Sequence, residues 1–280
     1  MIISASRRTD IPSYYGDWFF NRIKEGFVNV RNPMNFKQTR AVSLTPEAVD
    51  GIVFWTKNPA PMLDRLNELR DYKYYFQFTL TPYGKDIEPN LPDKSEILET
   101  FKKLSGIAGP ERVIWRYDPV LISAHYSTAF HFRAFDTYAK VLHNHTRKVI
   151  VSYIDTQYRG VKMNQRDLRL HTLTEEEKYE LFGGLAEIAR AYGLTMEACA
   201  SEMELSLLGI HKARCIDSRL FNINIEKAKG QRPACGCSAS ADIGAYNTCL
   251  NGCRYCYANY NPAVIAANRA AHDPEAEGLY

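Results

Sequence analysis

The chain has 280 residues, 45% of them hydrophobic and 24% charged, which is enough to bury the core of one enzyme-sized domain spanning residues 1–280. Its formal charge is +3, with lysines and arginines spread along the whole length, which excludes a block of like charge built as a nucleic-acid or membrane tail. The opening MIISASRRTD soon turns polar and no later run approaches the ~18 apolar residues of a membrane span, so a cytoplasmic protein with no membrane partner is expected.

In chain order, β-rich runs at 2–5, 51–56, 74–81, 113–116, 149–154 and 194–199 read as strands, with a weaker one at 213–216. Helix-period segments lie between most of them, at 61–70, 94–104, 130–142 and 174–192. The last opens on a Thr174 cap with Glu177 three residues later. This alternation predicts a parallel α/β sheet covered by helices, and its six or more repeats predict a complete or partial TIM-like (β/α) barrel.

Four strands run into polar residues and a nearby proline: SASRRTDIP, FWTKNP, FTLTPYG and WRYDPV. The carboxyl ends of parallel strands converge on one face, so Asp10, Lys57, Asn58, Thr79, Thr81, Arg116, Asp118 and Asp155 are expected to ring a common cavity. Taken singly, each is also what a solvated turn carries after a proline stops a strand. As a set of acids, bases and hydroxyls they are what a polar substrate pocket needs, with Lys57, Arg116 and Asp118 as candidate catalytic residues.

A long irregular stretch from Lys227 leads into NTCLNGCRYCYANY, making residues 227–260 a cysteine-rich region within the domain. In a reducing compartment, seven cysteines gathered toward the C-terminal half read better as metal ligands than as disulfides. Cys249, Cys253 and Cys256 lie in one loop with a tight Asn251-Gly252 turn between the first two. Thiolates suit zinc or iron–sulfur centres, and a structural zinc would require a fourth ligand. Three thiols instead suit a 4Fe–4S cluster held at three corners, with the fourth iron open.

The spacing C-x-x-x-C-x-Y-C, with Tyr255 at the aromatic position, resembles the cluster motif of radical S-adenosylmethionine (SAM) enzymes, and YCYAN is similar to their spore photoproduct lyase-like branch. The resemblance implies that the open iron chelates SAM and that an electron from the cluster cleaves it to a deoxyadenosyl radical. It also implies an electron donor such as flavodoxin or ferredoxin, and a place for Tyr255 near the adenine. Such enzymes usually carry this loop after the first barrel strand. Here it lies at the end, as in an uncharacterised bacterial family of unknown function that the whole chain resembles through SASRRTDIP, WRYDPV, CGC and CRYCYAN. Circular permutation accounts for this if 243–248 is a strand pairing in parallel with Ile2–Ala5 and 261–271 is its helix. The Gly-Gly-Glu segment usual in radical SAM enzymes has no literal match, and under the permutation Asp10 is the carboxylate available to grip the SAM amino group.

The four remaining thiols, Cys199, Cys215, Cys235 and Cys237, have the number for a second closed site, either iron–sulfur or zinc. Isolated cysteines such as Cys199 and Cys215 are also common as small buried apolar residues. Cys235 and Cys237, in a C-G-C turn, are the stronger candidates, and one of them also reads as a redox-active thiol. The histidines show no ligand spacing and read as packed or solvated. Two functions follow: a radical SAM-type enzyme acting on a small polar substrate, or a non-catalytic iron–sulfur or zinc protein with a structural, sensing or nucleic-acid-binding role. Nucleic acid stays open as a partner.

Overall fold

Runs such as IISA, GIVFWT and KVIVSY are apolar on both sides of the pleat, as strands need to be when both faces are covered. In the computed structural model, which describes residues 1–279 and Phe36 by its backbone alone, they form one parallel sheet. Its strands are β1 (Ile2–Ala5), β4 (Gly51–Thr56), β5 (Tyr74–Thr79), β6 (Val113–Val120), β7 (Lys148–Tyr153), β8 (Thr195–Ala198), β9 (His211–Lys212) and β10 (Ala241–Asp242). A separate antiparallel hairpin pairs β2 (Phe27–Asn32) with β3 (Asn35–Ser43). The order across the sheet is β10-β1-β4-β5-β6-β7-β8-β9, so the last strand lies beside the first.

Helices flank the sheet. Thr128–Leu142 starts on a Ser127 cap, and Glu175–Ala191 starts on a full capping box in which Thr174 and Glu177 satisfy each other's backbone N–H groups. Lys94–Ala108 ends on Gly109, and 61–70 forms a 3₁₀ helix, Ala60–Leu69. Pro262–Ala270 follows an Asn261 cap close to the expected 261–271. Among the described residues no helix is long and apolar enough to cross a membrane.

The two-residue period of the strands sorts their side chains. Ile3, Phe54, Phe76, Trp115 and Val151 face the helices in the main core. Ile2, Val53, Tyr75, Ile114 and Ile150 face the other way, against Ala213, Cys215, Ile216, Phe221, Cys235 and Cys237 from the C-terminal region. Residues 213–237 therefore plug the base of the sheet's second face. Phe221 sits so close that a Cβ at Gly51 would collide with its ring.

Several boundaries differ from expectation. Residues 213–216 are not a strand, because side chains hold that backbone: Tyr75 Oη and Gln77 Nε2 both donate to the Cys215 carbonyl at 2.8 Å. The strand there is His211–Lys212 instead. The segment pairing in parallel with β1 is Ala241–Asp242 rather than 243–248. Past Ile243, whose N–H still donates to Ser4 O, the chain turns through Asn247 at φ +56° and Thr248 Oγ1 donates back to Ala245 O. The strand expected over 74–81 stops at Thr79, short of Pro82, and the one expected over 113–116 continues to Val120. The hairpin was not anticipated, although Val28, Val30 and Val42 bury one face of it in the alternating pattern of a half-covered antiparallel pair.

Candidate functional site

All the parallel strands deliver their carboxyl ends to one edge of the sheet, and a cavity of about 610 Å³ opens there. Ser6, Arg7, Arg8 and Asp10 reach it from the end of β1, Lys57 from β4, Thr79 from β5, Arg116 and Asp118 from β6, and Ser152 and Asp155 from β7. All seven cysteines and Tyr255 line it too, so every candidate catalytic, cofactor and metal residue read from the sequence borders one space. Asn58 and Thr81 do not. Asn58 is spent on the turn after β4, and Thr81 is turned inward to donate to Glu88 at 2.7 Å.

The loop of Cys249, Cys253 and Cys256 is held from several sides. Gly252 takes φ +68°, a left-handed turn that favours glycine, between the first two thiols. Asn259 Oδ1 accepts from the Thr248 and Cys249 N–H groups at 2.8 and 2.9 Å, while its amide donates to Arg8 O. Asn251 Nδ2 donates to Asp10 Oδ2 at 3.1 Å, and Tyr14 Oη donates to Asn251 Oδ1. On the far side, a Cβ at Gly160 would collide with the Cys256 carbonyl.

Asp10 is buried, and its oxygens also accept from the Lys57 and Ser13 N–H groups at 2.7 and 3.1 Å. It ties the end of β1 to the thiol loop. Burial pushes its carboxyl above the usual range despite these hydrogen bonds.

A group missed in the sequence lies beneath Tyr255. Glu88 is 1% exposed and accepts from Lys57 Nζ at 2.7 Å, Thr81 Oγ1, Lys94 Nζ and Tyr255 Oη. Burial acts to raise its carboxyl, but the Lys57 and Lys94 charges and hydrogen bonds outweigh it and hold the group at about 2. Lys57 also lies 5.4 Å from the Tyr255 ring centre, so Glu88 and Lys57 together fix the ring that precedes Cys256. The only local signal was an acid among the turn residues of YGKDIEPN.

Arg116 makes an ion pair with Asp118, which accepts from Ser152 Oγ as well, and its guanidinium packs over Trp55 at 4.9 Å. Its Nη1 also reaches Cys215 Sγ at 3.0 Å. Cys215 and Cys199 sulfurs stand 3.4 Å apart. Contacts with Cys199 and Cys237, together with the Arg116 charge, hold the Cys215 thiol well below the usual thiol range. Burial pushes the Cys249 and Cys253 thiols up, Cys253 to about 12, with Lys57 acting against it. A metal would therefore have to displace protons from both. Among the described residues no three His, Cys, Asp or Glu side chains are drawn together tightly enough to hold a metal ion as they stand.

His131 lies apart from the cavity, fully buried, with Nδ1 paired to Tyr117 Oη at 2.7 Å and Nε2 to the Leu121 carbonyl at 2.9 Å, a packed histidine as the sequence reading expected.

No curated protein matches the chain, and no solved structure does. A family model described as a domain of unknown function (DUF1848) does match, over residues 2–258, and with nearly its whole length covered the chain belongs to that family.

Proposed function

We propose that the protein is a radical SAM-type iron–sulfur enzyme, its sheet an incomplete (β/α) barrel permuted so that the cluster loop follows the last strand. The observation that carries this reading is the convergence of Cys249, Cys253 and Cys256, from one braced loop, on a cavity ringed by polar strand ends. The donor set fits a 4Fe–4S cluster held at three corners: all three are soft thiols, and the turn at Gly252 lets the loop fold back on itself. When bound, the cluster and SAM supply one-electron cleavage of a sulfonium bond, with the electron coming from a donor such as flavodoxin or ferredoxin in the cytoplasm.

The chain's own residues orient and enclose. Asp10, through Asn251 and the Lys57 N–H, fixes the loop against β1, while Glu88 and Lys57 fix Tyr255 at the cavity wall. Arg7, Arg8, Arg116 and Arg232 share the lining with Asp118, Asp155 and Asp242. Both signs in a space of about 610 Å³ suit a small polar substrate, an anionic one above all. A long polyanion would need a continuous basic stripe, which this mixed lining does not provide.

The test is anaerobic reconstitution followed by iron and sulfide analysis, with electron paramagnetic resonance recorded with and without SAM. We expect a 4Fe–4S signal that SAM perturbs, deoxyadenosine formation on reduction, and loss of the SAM-responsive signal and of deoxyadenosine formation when any one of Cys249, Cys253 or Cys256 is replaced by Ala. A signal indifferent to SAM would return the protein to the non-catalytic reading. Full iron and sulfide in all three variants would overturn the cluster assignment.

A further inference from the structure

The four thiols outside the loop come from distant parts of the chain: Cys199 from the end of β8, Cys215 from the irregular segment after β9, and Cys235 and Cys237 from the turn before β10. The fold nevertheless makes them neighbours. Cys199 and Cys215 sulfurs are 3.4 Å apart, Cys215 also stands beside Cys237, and Cys237 stands beside Cys235. All four line the cavity already described.

Ordinary buried cysteines pack as small apolar groups and attract no cations. These do otherwise. Arg116, 6% exposed, aims Nη1 at Cys215 Sγ from 3.0 Å, and the Ile216 N–H points at Cys237 Sγ from 3.5 Å. Donors directed at sulfur stabilise sulfur that carries negative charge, as metal-bound thiolate does. The backbone is spent on the same end: the Cys215 carbonyl takes hydrogen bonds from two side chains of the sheet, Tyr75 and Gln77, which pins this sulfur at the base of the cavity.

We infer that Cys199, Cys215, Cys235 and Cys237 bind a second metal centre, a closed four-thiolate site of the iron–sulfur or zinc class, distinct from the three-thiol loop. As they stand the sulfurs form a string of contacts rather than a tetrahedron. A closed four-thiolate site requires the thiols to rotate about their Cα–Cβ bonds, and metal binding would drive that rotation while releasing the thiol protons. With four thiolates there is no open coordination position, so the centre locks the plug of residues 213–237 onto the sheet and binds no substrate itself. Arg116 links it to the polar ring through Asp118.

The inference does not depend on what the three-thiol loop binds, and one experiment separates the two. The full chain, a Cys249→Ser/Cys253→Ser/Cys256→Ser variant and a Cys235→Ser/Cys237→Ser variant are purified anaerobically, checked by circular dichroism, and assayed for zinc, iron and sulfide. The loop variant is expected to keep one metal centre per chain, read as zinc alone or as iron with matching sulfide, which tells the two metal types apart. The Cys235/Cys237 variant is expected to lose that centre and nothing else. Alkylation of the unaltered chain, mapped by peptide mass, covers the case in which the second variant does not fold: Cys199, Cys215, Cys235 and Cys237 should resist labelling until a chelator or acid strips the metal. A folded loop variant with no metal above background, or Cys235 and Cys237 labelling freely or found as disulfides in the untreated chain, would overturn the inference.

Discussion

Glu88→Gln is the sharpest probe of how the site is held. The change keeps the shape of the side chain and the oxygen that accepts from Tyr255, but removes the charge that satisfies Lys57 and Lys94 and puts an amide donor where Lys94 needs an acceptor. A carboxylate held at about 2 instead of the ordinary 4.5 contributes stability wherever it is ionised in the folded protein, and each tenfold difference in proton affinity is worth about 1.4 kcal/mol. The contribution at pH 7 is then about 3 kcal/mol, in line with the cost of leaving one partner of a buried ion pair alone. Because the folded value is depressed, this stability is fully present above the unfolded value and is lost as pH falls. Linkage puts the loss at about 1 kcal/mol by pH 4 and about 2 kcal/mol by pH 3. Urea unfolding of wild type and variant across pH 7 to 3 measures the difference directly. The gap should be widest at pH 7 and shrink steadily toward pH 3. A gap under about 0.5 kcal/mol at pH 7, or one that does not change with pH, would refute the view that Glu88 is an ionised keystone.

Three further outcomes are expected. Gly160→Ala should cost about 1–3 kcal/mol by overpacking against the Cys256 carbonyl, and it should lower metal loading of the loop while far-ultraviolet circular dichroism stays unchanged; unaltered loading would show that the loop is not pressed against the backbone at Gly160. Phe221→Ala empties the space between Gly51 and Tyr75, whose ring centre is 5.3 Å away, and should cost about 3–5 kcal/mol in urea unfolding, where a loss under about 1 kcal/mol would mean that the plug is loosely seated. Burial holds His131 down at about 4, so its imidazole resonances should show no titration between pH 7 and 5, and a midpoint near the ordinary 6.5 would contradict its packing against Tyr117 and Leu121.

What the sequence makes legible here is what depends on neighbours along the chain. Short continuous apolar runs locate the strands, and the polar residue after each run marks which end faces the cavity. The spacing of Cys249, Cys253 and Cys256 carries its own chemistry. Glu88 stayed hidden because nothing local marks it: its partners arrive from the end of β4, the start of the helix Lys94–Ala108 and the thiol loop, and only the fold assembles them. The β9 and β10 boundaries were misread for a related reason. Both strands are two residues long, and side-chain clamps such as Gln77 on the Cys215 carbonyl override the β propensity of the residues next to them.

The place of the thiol loop at the end of the chain is no obstacle to its reaching the residues at the start. In a parallel sheet every strand ends at the same edge, so what decides which loops meet is the order of strands in space. Since β10 lies beside β1, the loop after β10 meets the loop after β1: Asn251 on Asp10, Asn259 on Arg8 O, and Tyr257 Oη on Arg7 O at 2.6 Å. The same loop reaches further. The Arg254 N–H donates to Ile87 O beyond β5, and Arg254 O accepts from Asn164 beyond β7. A segment anchored after β1, β5 and β7 at once spans the cavity mouth, while Cys199 and Cys215 line that cavity from beyond β8 and β9, near the other edge of the sheet. The sheet therefore curves so that loops beyond both of its edges line one space, and the strap carrying three thiols is anchored across it.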